Sequence, residues 1–246
     1  MNSKDSTHFA GDAGSRGVVD GGLRDHMSAV YGMMAVAVAL TGLVSWAFGT
    51  SPALLGMVVD AETGSMRLLG WAALFSPLLI ILLMGVAANA MSKAVMQILL
   101  YGLATLMGVS LSGIFVVYTG ASIASTFLVT AGAFAGLSLY GYTTKRDLSA
   151  IGAFLVMGLI GLILASIVNL FLQSGAMGFA LNVAGIAIFA GLTAWDTQKI
   201  KQIYLEHRGS ASAEDIGKAA VWGALSLYLD FVNLFLHLLK LMGQKK

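Results

Sequence analysis

Seven long apolar runs constrain this chain more than any other feature of its sequence. Each is close to the ~20 residues that an α-helix needs to cross the hydrocarbon layer of a bilayer. The runs are continuous and lack the alternation of apolar and polar residues that membrane barrels show. The sequence therefore predicts an all-α, polytopic membrane protein with about seven transmembrane helices. The runs occupy residues 29–49, 68–88, 94–118, 121–141, 149–171, 178–198 and 219–242.

Charged residues are rare, and most of them lie between the runs. Only 11% of the residues are charged, against ~25% in a typical soluble domain. Among the acids, Asp196 stands at the edge of a run and Asp230 lies inside one. This segregation is typical of lipid-spanning segments, so the lipid bilayer is the first predicted partner. No basic cluster mixed with aromatic residues indicates nucleic-acid binding, and the absence of cysteine excludes thiolate chemistry.

The residues before the first run set the predicted domain boundary and the orientation. Residues 1–27 are rich in Gly, Asp and Ser and lack the basic stretch and apolar core of a signal peptide. We interpret them as a disordered tail and residues 28–246 as the seven-helix transmembrane domain. With the N-terminus inside, ten Lys and Arg residues lie on the inner side and four on the outer side. This bias predicts a cytoplasmic N-terminus, with a re-entrant last segment as the alternative to a seventh span.

Short breaks and small residues indicate which helices meet. The breaks at 119–120 and 173–175 are so short that each predicts an antiparallel helix hairpin. Small residues four apart let helix backbones approach closely, although thirty glycines also produce such pairs by chance. Two such pairs stand out, Gly132 with Gly136 and, more weakly, Gly108 with Ser112.

A stripe of polar residues runs along the last apolar segment. Ser212 and Asp215 have the spacing of a capping box, which predicts that this helix begins near residue 213. Further on, spacings of four, three and four put four polar side chains on one helical face. An ionised aspartate within a membrane costs several kcal/mol, so this face should line an interior. The alternative is a protonated carboxyl that only ties helices together by hydrogen bonds. The stripe comprises Ser226, Asp230, Asn233 and His237.

Asp196 is the second candidate, because the sixth run continues in a helix-compatible sequence and its depth relative to Asp230 is open by a turn or two. Two carboxylates in a poorly hydrated site cannot both ionise cheaply, so they would share a proton. That proton would hold two helices together, and its loss would leave a negative site. Because Ca²⁺ prefers six to eight oxygen ligands, such a site suits a weak, transient cation better than tight storage.

Three stretches of the sequence resemble the Bax-inhibitor family of transmembrane proteins in its bacterial branch. They are Leu225–Phe235 in the last helix, Ala194–Ile200 at the end of the sixth, and Thr144–Ser149 between the fourth and fifth. The resemblance covers nearly all of the chain after the tail. It implies a seven-helix fold in the bacterial inner membrane, with the last helix central and surrounded by the other six. It also implies that Asp196 and Asp230 form a pH-sensing pair.

The family is associated with pH-dependent calcium leak and, in some bacteria, with modulation of membrane-protein proteolysis. The resemblance therefore implies a pH-sensitive cation leak, with Asp196 and Asp230 as a weak, transient cation site and Ca²⁺ as the transported ion. It implies no enzymatic activity, catalytic residue or cofactor. One departure concerns the arginine that bacterial relatives often have at the end of the second helix, where it latches onto the first aspartate. Here Gly85–Ser92 contains no arginine, and Lys93 is the nearest cation.

Two alternatives belong to other functional classes. A non-transporting regulator of a membrane protease or another membrane complex would bind through the N-terminal tail and a loop at 199–218. An intramembrane aspartyl protease would also place two aspartates on neighbouring helices. The glycine-flanked aspartate of that class is missing, since Trp195 precedes Asp196 and Leu229 precedes Asp230.

Overall fold

The computed structural model describes residues 5–60, 63–88 and 90–246, with side chains from residue 21 onward. Seven spans within this part of the chain are long and apolar enough to cross a membrane. The prediction of an all-α, polytopic membrane protein is confirmed. The helices in the described residues are α1 (Asp5–Thr50), α2 (Pro52–Val58), α3 (Leu68–Ala87), α4 (Lys93–Leu111), α5 (Ile114–Val117), α6 (Gly120–Thr143), α7 (Ser149–Leu172), α8 (Gly175–His207) and α9 (Ala213–Met242).

The surface of the bundle is apolar, while several polar side chains are buried. Leu68 at the start of α3 and Phe171 near the end of α7 are 86% and 82% exposed. By contrast, the hydroxyl side chains of Thr130, Thr193 and Thr197 are fully buried, and each donates to a carbonyl one turn earlier in its own helix. This arrangement is stable when the outer surface meets lipid, because these three buried hydroxyls are satisfied within the protein.

Helix α9 is the central helix of the bundle. In its most apolar stretch 67% of the residues are buried, against 17–33% in the other six spans. It packs against α1, α4, α6 and α8, whereas α3 packs mainly on α4, and α7 on α8. The central position is as expected, but four helices rather than six form the main contacts of α9.

One buried hydrogen-bonded chain ties α9 to α1 and α4. The Tyr228 side chain is fully buried, and its hydroxyl lies 2.8 Å from Thr41 Oγ1. Thr41 Oγ1 donates to the Ala104 carbonyl at 2.8 Å, so the tyrosine hydroxyl donates to the threonine. Because a Tyr hydroxyl in an apolar interior is costly unless it is paired, these bonds define the relative positions of the three helices.

The two predicted hairpins have different outcomes. Helices α7 and α8 are antiparallel neighbours, joined at Gln173 with φ of 50° and capped by Ser174, whose hydroxyl accepts from the Met177 N–H at 3.3 Å. The prediction of a hairpin between the third and fourth runs is wrong, because α5 and the extended Tyr118 come between α4 and α6. They carry the chain away from α4, and α6 packs mainly on α8 and α9.

Close helix contacts involve different glycines from the pair with the strongest pattern. A Cβ added to Gly132 or Gly136 would meet no atom within 4 Å, so the prediction for that pair is wrong. Gly108 is in close contact with α1, since a Cβ there would lie 2.8 Å from the Thr41 carbonyl oxygen. Gly141 of α6 lies directly against the backbone of Ala194 in α8. The spacing of small residues is local, whereas the face that meets a neighbour is a property of the whole bundle.

The first helix begins earlier than the predicted domain boundary. Residues 21–27 belong to α1, and Leu23 and Met27 are buried in the main core. Their spacing of four residues places them on one face, and His26 beside them stacks on Tyr204 of α8 with ring centroids 4.8 Å apart. The predicted boundary between residues 27 and 28 therefore lies inside α1, which begins at Asp5, and residues 1–4 lie outside the described part of the chain.

The connection between α8 and α9 is shorter than the predicted loop at 199–218. Helix α8 extends to His207 and α9 begins at Ala213, so residues 208–212 connect them. The Ser212 hydroxyl accepts from the Asp215 N–H at 3.1 Å, which confirms the predicted helix start.

The two ends of the bundle are distinguished by their connections. At the end that we call the C-terminal end, the Thr119 N–H donates to the Gln244 carbonyl at 3.1 Å and the Lys246 N–H to the Val117 carbonyl at 3.0 Å. The loop 144–148 lies at the other end of α6, together with the α8–α9 connection, and we call this the N-terminal end. Because α9 starts at one end and its last residues bind at the other, it crosses the bundle completely. The re-entrant alternative is wrong.

Candidate functional site

A groove along α9 is lined by the polar stripe that the sequence predicts. It has a volume of about 810 Å³ and lies among α3, α7, α8 and α9. We call it the polar groove. Much of its wall is apolar, with Ile81 from α3 and Leu162 from α7. Its polar and charged lining residues are Ser166, Asp196, Lys199, Ser226, Asp230, Asn233, His237 and Lys240.

The two aspartates meet in this groove. Helices α8 and α9 are antiparallel, and their register places Asp196 opposite Asp230, so that the two carboxyls approach each other in the polar groove. Asp230 is only 4% exposed, and no described N–H or O–H group donates to its Oδ2. Two ionised carboxylates repel each other and have no donor between them, so one proton on the pair would stabilise this approach. The structure thus brings together the two residues whose relative depth the sequence leaves open.

The pair lies close to the level of the loop 144–148, which joins α6 to α7 at the N-terminal end. Trp195, which precedes Asp196, packs directly on Gly152 near the start of α7. Two residues after Asp196, Gln198 holds the loop 144–148: its Oε1 accepts from the Leu148 N–H and its Nε2 donates to the Arg146 carbonyl, both at 2.8 Å. Asp196 is therefore less than one helical turn from that loop. Nothing in the sequence pattern points to the anchoring role of Gln198.

A lysine lies beside the pair on the same helix. Lys199 follows Asp196 by one turn of α8 and lines the polar groove, and its Nζ lies 4.8 Å from the centroid of the Trp195 ring. Lys93, the cation nearest to the missing arginine in sequence, is elsewhere. Its backbone N–H donates to Glu214 Oε1 at 2.5 Å, and its side chain packs against Gly217. Lys199 is thus the cation that accompanies Asp196 in this chain.

His237 extends the polar face toward the C-terminal end. Its Nδ1 lies 3.2 Å from Asn182 Oδ1, and its ring stacks on Phe189 with centroids 5.7 Å apart. Gly185 makes room for the ring, because a Cβ there would lie 2.5 Å from two of its atoms. Between His237 and Asp230, Asn233 donates to the Leu229 carbonyl at 2.8 Å. The partners Asn182 and Gly185 come from α8 and are not apparent from the α9 pattern.

The donor set of the groove limits what it can bind. Among the described residues, no group of three or more His, Cys, Asp or Glu side chains is arranged to hold a metal ion. Two carboxyls with nearby Ser and Asn side chains supply only part of the oxygen shell that Ca²⁺ requires. The arrangement is chemically suited to holding a proton between Asp196 and Asp230 and to brief contact with a cation.

Comparisons with known proteins identify the family. A model of the family described as inhibitor of apoptosis-promoting Bax1 matches residues 23–246. A protein of Caulobacter vibrioides is 44% identical over 230 residues, covering 92% of this chain and 90% of its own length. The inner membrane protein YbhL of Escherichia coli strain K12 is 43% identical over 225 residues, covering 92% and 94%. An uncharacterized membrane protein of Streptococcus pyogenes is 35% identical over 228 residues, covering 92% and 95%.

Proposed function

This chain belongs to the Bax-inhibitor family of integral membrane proteins, and we propose that it is a pH-sensitive cation leak gated by Asp196 and Asp230. The approach of these two carboxyls to each other in the polar groove is the observation that carries the proposal. It links α8, which forms one wall of the polar groove, to the central helix. A change in the proton content of the pair therefore acts directly on the packing of these two helices.

The proposed gate follows from the charges of the pair. With one shared proton, the carboxyls attract each other and hold α8 against α9. When the proton leaves, two negative charges face each other in a site where Asp230 is only 4% exposed. Repulsion between two adjacent carboxylates in a poorly hydrated site is strong, and it favours separation of α8 from α9. The separated carboxylates then attract a cation, so flux rises as the pH rises.

The rest of the polar face supplies a route away from the gate. Asn233 and His237 continue along α9 toward the C-terminal end and line the same groove. Lys199 and Lys240 also line it, and their positive charges oppose long residence of a cation. A leak with Ca²⁺ as a transient passenger fits this lining better than a storage site does.

The location and orientation are part of the same proposal. The relative YbhL bears the name of an inner membrane protein, and we place this chain in the bacterial inner membrane as well. With the N-terminal end on the cytoplasmic side, the side with ten Lys and Arg residues faces the cytoplasm. The aspartate pair then lies close to the cytoplasmic surface, where it would respond to cytoplasmic pH.

The test is calcium flux through purified protein reconstituted in vesicles that contain a calcium indicator. Wild-type flux is expected to increase between about pH 5 and 8, and Asp230→Asn is expected to abolish that pH dependence. The amide is neutral at every pH and nearly the same size, so it keeps the packing and removes only the exchangeable proton. A flux with an unchanged pH profile in Asp230→Asn would contradict the proposal.

The same assay separates the proposal from its alternatives. A regulator of a membrane protease or another membrane complex would carry no flux at any pH and would still bind its partner after both aspartates are replaced. An intramembrane protease would instead cleave a model transmembrane helix, with cleavage lost in Asp230→Asn. Either outcome, together with an absence of flux in the wild-type protein, would overturn the cation leak.

A further inference from the structure

A second groove reaches α9 from another side of the bundle. It has a volume of about 410 Å³ and lies between α1 and α6, with α9 as its floor. We call it the apolar groove. Helices α1 and α6 both pack on α9, and the detour through α5 holds α6 away from the α1–α4 pair. The residues of α9 at the floor are Phe231, Val232 and Phe235.

The surroundings of the apolar groove determine what can fill it. Both of its side walls belong to membrane-spanning helices, so it opens onto the hydrocarbon layer. A water molecule is not stably bound in an apolar groove, because the walls offer too few hydrogen-bonding partners. A hydrocarbon chain fills such a space without loss of polar contacts. A lipid chain and a transmembrane helix of a partner are the two occupants to distinguish.

The length of the groove favours a lipid chain. Along α6 it extends from Gly120 to Leu128, which is about 12 Å at ~1.5 Å per residue. One leaflet of the hydrocarbon core is about 15 Å thick, whereas a partner helix would need a surface along the full ~30 Å. The groove starts at the C-terminal end of the bundle and ends near the middle, so its depth matches an acyl chain from one leaflet.

The mouth of the groove carries positive charge. Phe115 of α5 lines the groove, and its carbonyl accepts from Lys246 Nζ at 2.7 Å. Lys245 is adjacent, and both lysines are exposed. A lipid whose chain occupies the groove would have its headgroup at this level, where two ammonium groups favour a phosphate that keeps its net negative charge.

One polar side chain in the wall adds a donor. Ser45 of α1 lines the groove, is 2% exposed, and has no hydrogen-bonding partner for its hydroxyl among the described residues. A buried hydroxyl without a partner is costly. An ester oxygen at the top of an acyl chain is an acceptor that would satisfy it after rotation of the hydroxyl.

From these observations we propose that the apolar groove holds one acyl chain of an anionic phospholipid, with the phosphate against Lys245 and Lys246. The proposal concerns a different face of α9 from the aspartate pair and does not depend on the cation leak. The lipid would pack against the apolar face of α9 between α1 and α6.

The test uses the purified full chain in detergent, with dioleoylphosphatidylglycerol or dioleoylphosphatidylcholine added at equal concentration. Native mass spectrometry then counts the lipid molecules retained. The wild-type protein is expected to retain one phosphatidylglycerol in preference to phosphatidylcholine. Gly42→Leu should lower its occupancy about tenfold, because Gly42 lines the groove and a Cβ there meets no atom within 4 Å, so the new side chain fills the groove without a clash.

The matched control for the groove is Gly32→Leu, on the same helix. A Cβ at Gly32 also meets no atom within 4 Å, and this residue does not line the groove, so occupancy should be unchanged. The double variant Lys245→Gln/Lys246→Gln should lower the preference for phosphatidylglycerol about tenfold. Lys145→Gln/Arg146→Gln, at the N-terminal end, should leave it unchanged.

Four results would overturn the proposal. The first is equal retention of the two lipids by the wild-type protein, and the second is unchanged occupancy in Gly42→Leu. The third is a wild-type mass of two copies that Gly42→Leu reduces to one, which would show that a second copy of the chain fills the groove. A loss of lipid in both glycine variants would likewise contradict a site located in the groove.

Discussion

The two faces of α9 differ in polarity, although both are covered by neighbouring helices. One face bears Asp230 and His237 and lines the polar groove. The opposite face, about half a turn away at ~100° per residue, bears Phe231 and Phe235 and lines the apolar groove. The polar face depends on specific partners, such as Asp196 for Asp230. The apolar face depends on shape, with aromatic rings in contact and a space that only hydrocarbon suits.

In the proposed cation leak, this difference would allow a central membrane helix to combine stability with a response to pH. Apolar side chains on one face keep α9 packed in the bundle, whether or not the aspartate pair on the other face is protonated. On the polar face, the proposed gate changes the interaction between Asp196 and Asp230 from attraction to repulsion when their shared proton leaves. The two functions should therefore be separable by substitution, and the following three experiments are ordered from the largest expected effect to the smallest.

The largest effect is expected on the apolar face. The Phe231 ring contacts Phe127 and Phe134 edge to face, each with centroids 5.5 Å apart. Phe231→Ala removes these contacts and should lower the free energy of unfolding by about 3 kcal/mol. The pH dependence of calcium flux should persist, because the aspartate pair is untouched. Unfolding in detergent micelles and flux in vesicles measure the two properties.

The control for this substitution is Phe171→Ala on α7. Phe171 is 82% exposed to the surrounding lipid, so its replacement should change stability by less than about 0.5 kcal/mol. If Phe231→Ala abolished the pH dependence while the protein stayed folded, the two faces would not be separable.

An intermediate effect is expected where α8 is held against α6, beside the aspartate pair. A Cβ on Gly141 would collide with the backbone of Ala194, two residues before Asp196. Gly141→Ala should therefore destabilise the protein by about 2 kcal/mol. Gly136→Ala on the same helix meets no atom within 4 Å and should be neutral or stabilising by up to ~1 kcal/mol, because alanine is the better helix former. Thermal unfolding of the two variants in the same detergent compares them, and equal midpoints would contradict the close contact.

The smallest effect is expected from an acid outside the membrane-spanning segments. Hydrogen bonds from Ser149 lower the pKa of Asp147 below its usual value of 3.8. Because the folded-state pKa is depressed, this carboxylate contributes stability above about pH 4, which is lost only as the pH falls through the folded-state pKa. Asp147→Asn should leave the flux profile between about pH 5 and 8 unchanged. A profile altered as much as in Asp230→Asn would move the pH sensor from the polar groove to the loop.

The number of membrane spans and the positions of their apolar centres could be predicted from the sequence, although α1 begins before residue 29 and α8 continues to His207. Length and hydropathy are local properties, and they decide whether a segment is stable in lipid. The start of α9 at Ala213 and the common face of its four polar residues were also predictable, since capping and helical periodicity involve residues only a few positions apart. For the same reason, the four-residue spacing of Leu23 and Met27 indicates the earlier start of α1. The nearby glycines disfavour a helix and obscure this pattern.

The candidate site could be predicted only in part. Asp230 and its polar neighbours on α9 are evident from their spacing. The resemblance to the Bax-inhibitor family indicated Asp196 as the partner of Asp230. Lys199 lies one turn after Asp196 on the same helix, and its position is therefore local. Gln198 at the loop and Asn182 beside His237 acquire their roles from contacts between elements. No local pattern distinguishes them from other polar residues near a helix end.

What the sequence alone determined is therefore that this chain crosses a membrane seven times and buries one polar face of its last helix. The tertiary structure decided which groups meet that face. The register between α8 and α9 places Asp196 opposite Asp230, and the detour at α5 separates α6 from α4 and opens the apolar groove. It also decided that Gly141 and not Gly132 or Gly136 meets a neighbour. The physical reason is that insertion in lipid depends on each segment by itself, whereas rotation and register depend on the packing of all helices together.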